Sequence, residues 1–232
     1  MASIGGTQTE KTPWDYVYDF LGGTLAPVIF EIQRLLPDSL LFGTLVMFIL
    51  TGNTTWGVLL TFLIELLVAH GILATGFQAY QGPQKSQGPL SCRPGFRHPR
   101  FDFTRFFIRD RYPSVSTFSL GAIATYFGLT INYFSETLRA MGPEWAARVT
   151  VAYIFIALFV VSILSTRLLY GCESKSELII ALIAGLLSSI ILFSINFSIF
   201  GAEGINILGL PMLVDKTKEG NPIYICTKQN PM

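Results

Sequence analysis

Four stretches of the chain, residues 56–77, 115–138, 145–170 and 177–200, are apolar over a length that crosses the hydrocarbon core of a bilayer. In lipid, backbone N–H and C=O groups have to be satisfied inside the segment, so runs of this kind fold as helices. Only 13% of the 232 residues are charged, against about 25% in an ordinary soluble domain. With 51% hydrophobic residues, the class that follows is an all-α, multi-pass membrane protein whose first partner is the lipid bilayer. A net charge of +1 gives no overall field that would select a nucleic acid.

The start of the chain is less regular. Residues 1–12 are polar and lack the basic-then-apolar layout of a cleaved signal peptide, so insertion is expected to rely on the first apolar helices. The run Pro13-Trp14-Asp15-Tyr16-Val17-Tyr18 is aromatic and amphipathic and suits a headgroup boundary. Residues 20–36 make a first helix, but Pro27, Glu31 and Arg34 suit it to the interface or the bundle interior rather than to lipid. Pro37-Asp38-Ser39 is expected to break that helix and start another over residues 40–51, which at about 18 Å is short of the core. Gly52-Asn53-Thr54-Thr55 contains a glycosylation sequon, but its expected nearness to the membrane favours a turn. The count is about six helices, the crossing of the first two left open. Three regions follow: an arm and interfacial segment (1–19), a helical membrane domain (20–200) with a loop at 78–111, and an extramembrane tail (201–232). In the tail, residues 210–215 and 223–227 flank Gly220-Asn221-Pro222 and predict a small β-hairpin.

Several polar residues stand out against this background. Glu65 and His70 lie inside the span 56–77, where ionisable groups are expected to face protein or water. Five residues apart, they sit about 140° apart around a helix, so two separate inward contacts are expected rather than a pair. The loop 78–111 carries Lys85, Arg93, Arg97, Arg100, Arg105, Arg109 and Arg111 against Asp102 and Asp110. Phenylalanines interleave them, as in a basic membrane-surface loop. Pro113 fits the first turn of the helix that follows. Ser114, Ser116 and Thr117 gather hydroxyls at its positive end, suited either to capping or to an anion. The three cysteines, Cys92, Cys172 and Cys226, have no metal-ligand spacing, so no metal site and no cofactor are expected.

Three of these stretches, taken in order, resemble the type-2 phosphatidic acid phosphatase superfamily. That superfamily's first motif, Lys, six residues, Arg-Pro, corresponds to Lys85 and Arg93-Pro94, here with seven residues between. Its second, Pro-Ser-Gly-His, corresponds to Pro113-Ser114-Val115-Ser116. Its third, Ser-Arg, five residues, His, three residues, Asp, corresponds to Thr166-Arg167, Glu173 and Glu177. The resemblance covers residues 20–200 and implies a six-helix bundle with its motif loops on one face. It also implies that Lys85, Arg93, Arg167 and Ser114 stand where phosphate is held. The catalytic positions are degenerate: Ser116 stands for the acid histidine, Glu173 for the nucleophile and Glu177 for its orienting aspartate. Serine is no acid at neutral pH, and a glutamate in the phosphate's place repels it. An inactive fold with Glu173 and Glu177 paired to Arg167 and Arg93 is the expectation.

Such degenerate chains, with a Gly-Asn-Pro-Ile-Tyr-Ile-Cys tail, are similar to membrane proteins of large double-stranded DNA viruses with an internal lipid layer. The resemblance implies a minor structural protein that anchors a virion or endoplasmic-reticulum-derived membrane to capsid or coat proteins. Two other readings stay open: a lipid-phosphate binder or residual phosphatase, and a channel or transporter lined by Glu65 and His70. The excess of cations on the motif face places it in the cytoplasm. Cys92 and Cys172, beside the first and third motifs, are accordingly expected as unpaired thiols that would bridge only on an oxidising face.

Overall fold

The computed structural model describes residues 13–81, 92 and 112–208. Helix α1 (Pro13–Phe20) passes through a π-turn at Leu21–Leu25, which holds Gly22 and Gly23, into α2 (Ala26–Thr51). Gly52 ends α2 at φ 62°, and its N–H bonds back to Phe48 O at 2.9 Å. Asn53 then accepts from the Thr55 N–H at 2.9 Å through its side chain and starts α3 (Thr54–Gln81). This is the turn chemistry read from the sequence. Helices α4 (Val115–Ala140) and α5 (Pro143–Leu169) are joined by a tight turn at Met141-Gly142, where Gly142 has φ 144°. Ser174 caps α6 (Lys175–Gly204) by accepting from the Glu177 N–H at 3.2 Å.

The break expected at Pro37-Asp38-Ser39 is absent, and α2 runs through it. Proline in a helix interior costs about 3 kcal/mol. Here α2 packs along α3, α4 and α5, and that burial holds the helix across its weak point. Two boundaries also move. Residues 78–81, expected in the basic loop, complete α3. The first residues of the expected tail belong to the bundle, since α6 continues past a kink at Gly201 and Ile205 is fully buried. The arm at 1–12, the rest of the basic loop and the expected hairpin lie outside the described residues.

Among the described residues, three helices are long and apolar enough to cross a membrane: Thr54–Tyr80, Pro143–Leu169 and Lys175–Gly204, with mean hydropathies of 2.1, 2.4 and 2.8 over their most apolar stretches. They support an integral membrane protein. The outer faces of α5 and α6 present Ile154, Phe155, Leu158, Ile183 and Ile191, apolar side chains left for lipid. Helix α4 is as long but more polar, and the others enclose it. Its Phe118, Ala122 and Tyr126 form the centre of the main core with Phe62 and Leu66 of α3 and Ala181 of α6. The Phe62 and Tyr126 rings stack at 4.0 Å.

Two glycines set the closest crossing. A Cβ at Gly185 would lie 2.1 Å from the Phe118 carbonyl oxygen, and one at Gly121 would lie 2.8 Å from that of Leu182. Small residues of this kind let two membrane helices approach backbone to backbone, and here they fix α6 against α4. The start of α6 is thereby set beside the start of α4, which is where the motif residues lie.

Candidate functional site

At the end of the bundle where α3 and α5 finish and α4 and α6 begin, buried polar groups converge. Arg167 sits in the last turn of α5 and is 3% exposed. Its Nε donates to Glu173 Oε1 at 2.6 Å, and its Nη2 pairs with the same oxygen. Nη2 also donates to Ser114 Oγ at 3.2 Å. The other carboxylate oxygen, Glu173 Oε2, accepts from Thr117 Oγ1 at 2.7 Å.

Local structure explains why these groups meet. After α5, Gly171 takes φ 62° and the Cys172 N–H bonds back to Arg167 O at 2.9 Å. That reversal sets residue 173 beside the side chain of residue 167. Ser114 is the N-cap residue of α4, and Thr117 follows within its first turn. Ser114 makes no side-chain capping bond, so its hydroxyl is left to receive Arg167.

Pro113 was expected inside the first turn of α4. It precedes the N-cap instead, after a cis peptide bond from Tyr112, and its carbonyl accepts from His70 Nε2 at 2.7 Å. His70, 5% exposed, thus ties α3 to the head of α4. Glu65 lies elsewhere, accepting from Asn196 Nδ2 of α6 at 3.0 Å. The two residues make separate contacts.

Glu177 is buried in the first turn of α6. Burial, and after it the Glu177 carboxylate, push the Tyr112 hydroxyl above its ordinary range. Ser116 is buried, and its hydroxyl has no hydrogen-bond partner among the described residues. Lys85 and Arg93 lie outside those residues.

Cys92 and Cys172 form a disulfide with a Cα–Cα distance of 5.5 Å. This corrects the expectation of unpaired thiols. The bond carries the basic loop, one residue before Arg93, to within one residue of Glu173. It also removes the ground for a cytoplasmic motif face, because disulfides persist in oxidising surroundings. The cation count rested largely on one stretch: seven of the cations assigned to this face belong to the one loop, at 78–111.

Chemically, the arrangement is a closed ion pair. Both oxygens of Glu173 have donors, and the Arg167 guanidinium is shared between a carboxylate and a hydroxyl. A phosphate dianion entering here meets the Glu173 charge at short range, a repulsion of several kcal/mol at low dielectric. Among the described residues, no three His, Cys, Asp or Glu side chains gather in a way that would hold a metal ion.

Sequence reasoning missed two partners. Thr117 was one hydroxyl among three, with nothing local to single it out as the ligand of Glu173. Asn196 did carry a signal, a lone amide within an apolar run, the type of residue that bonds across membrane helices. No protein-family model matches this chain, and no curated protein or solved structure matches it either.

Proposed function

We propose that this chain is a non-catalytic, multi-pass membrane protein that acts as a structural anchor. The observation that carries the proposal is the Glu173 carboxylate, buried against Thr117 and against Arg167, which also donates to the Ser114 hydroxyl, where a phosphatase-like bundle would need room for phosphate. Covalent phosphoryl transfer requires an available nucleophile and an acid near neutral pH. A serine at position 116 and a paired glutamate at position 173 supply neither. The meeting of Ser114, Thr117, Arg167 and Glu173 at one end, with the disulfide beside them, is compatible with the phosphatidic acid phosphatase-type bundle that the motif order resembles. What the cluster offers is rigidity: it clasps α4, α5 and the link before α6, to which the disulfide fastens Cys92.

The finer reading, a minor virion protein joining an internal membrane to capsid or coat proteins, rests on the resemblance. Cross-linking in the native membrane tests it. Recovery of a coat or capsid protein supports the anchor, and recovery of lipid enzymes alone counts against it. Purified protein given phosphatidic acid is expected to release no phosphate. Turnover that disappears in Arg167→Ala would overturn the non-catalytic reading.

A further inference from the structure

Towards the other end of the bundle lies a feature that the ion pair does not explain. A hollow of about 370 Å³ opens between α2, α4 and α5, and every residue lining it is apolar, from Leu36 and Leu40 to Phe127 and Phe159. A second hollow of about 200 Å³ is lined by Leu138, Trp145, Arg148 and Leu208. The two adjoin at Ile131 and Ala152, which line both, and make a cleft of two neighbouring hollows.

The cleft has a polar mouth and an apolar floor. Trp145 and Arg148 lie in the opening turns of α5, where an aromatic residue and a cation mark the membrane–water boundary. The Arg148 guanidinium stands over the Trp145 ring at 4.4 Å. Among the described residues no carboxylate pairs with it, in contrast to Arg167. From Trp145 to Phe159 the cleft follows α5 for about 21 Å at 1.5 Å per residue, longer than the roughly 15 Å depth of one leaflet.

We propose that this cleft binds one glycerophospholipid of the surrounding bilayer. The phosphate takes the Arg148 guanidinium, which retains N–H donors at its edge while its face covers the indole. One acyl chain lies along Ile131, Ala152 and Phe155 towards Leu36 and Leu40. A cation with no carboxylate partner among the described residues selects an anionic headgroup over a neutral end, and the larger hollow, apolar throughout its lining, suits an acyl chain. The site is independent of the anchor proposed above and sits apart from the Arg167 cluster.

Full-length protein in nanodiscs of equimolar phosphatidylcholine and phosphatidylglycerol, released into the gas phase for native mass spectrometry, tests this. One retained phospholipid per chain is expected. Arg148→Gln, at an exposed position that does not threaten folding, lowers retention about tenfold, as expected for one charge-assisted contact. Arg139→Gln, a cation outside the lining, leaves retention unchanged. No retained lipid, or equal retention in the two variants, overturns the proposal. A photo-cross-linker at Ile156, which lines the cleft and is half-buried, is expected to capture an acyl chain. Capture of residues 209–232 of the same chain, or of a second copy, overturns it as well.

Discussion

Glu173 and Glu65 are both carboxylates drawn into a bundle with an apolar exterior, yet their surroundings differ. Glu173 receives two nitrogens of Arg167 and the Thr117 hydroxyl, so its two oxygens are held by α4 and α5 together. Glu65, partly exposed on α3, receives a single amide N–H from Asn196 of α6 among the described residues. Glu173 sits in a link between helices, where the backbone can turn to bring the carboxylate to its partners. Glu65 sits in mid-helix, where the backbone is fixed and only side chains can reach. The contrast separates a clasp that several elements depend on from a contact between two helices.

The largest effect is expected at the clasp. Arg167→Ala leaves Glu173 buried without its counter-charge, which costs about 3–5 kcal/mol. Replacing both partners, Arg167→Met with Glu173→Leu, removes the charge and its desolvation together and returns most of that stability. Thermal unfolding in a mild detergent checks both variants. If the double variant is as unstable as the single one, the ion pair is not what Arg167 contributes.

Next is the covalent fastening of the same end. Cys172→Ser opens a link that closes 80 residues of chain and is expected to cost about 2–4 kcal/mol. A tryptic digest without reductant should contain the Cys92 and Cys172 peptides joined. Their appearance as separate thiols would return the motif end to a reducing compartment. It would also remove one of the differences between the two ends of the bundle.

How far the sequence made this legible depends on the range of each contact. The Arg167–Glu173 pair was expected from the third-motif resemblance and the opposite charges of the two side chains, and it spans only six residues across one turn. The helices followed from the length of their apolar runs. Pro37 failed as a stop signal because the packing of α2 on three neighbours outweighs a local propensity. Pro113 was misplaced by one element boundary because the choice between N-cap and first turn depends on His70, forty-three residues away. The disulfide joins residues eighty apart, and its expectation was biased by a charge count that stood in for compartment. Each failure is a case where a distant part of the chain decides a local question.

The smallest effect is expected at Glu65, and it tests the comparison most directly. Asn196 is fully buried, and its Nδ2 is what Glu65 meets on α6. Asn196→Leu removes that donor and also removes the amide oxygen, which has no partner among the described residues. Loss and gain therefore oppose each other. Hydrogen bonds between membrane helices are worth on average about 0.6 kcal/mol, so the net change in unfolding is expected to stay below about 1.5 kcal/mol. Glu65→Gln keeps an acceptor opposite Asn196 and should change stability less than Asn196→Leu does. A loss at Asn196→Leu as large as that at Arg167→Ala would mean that the middle of the bundle is held as tightly as its end. The distinction between clasp and contact would then fail.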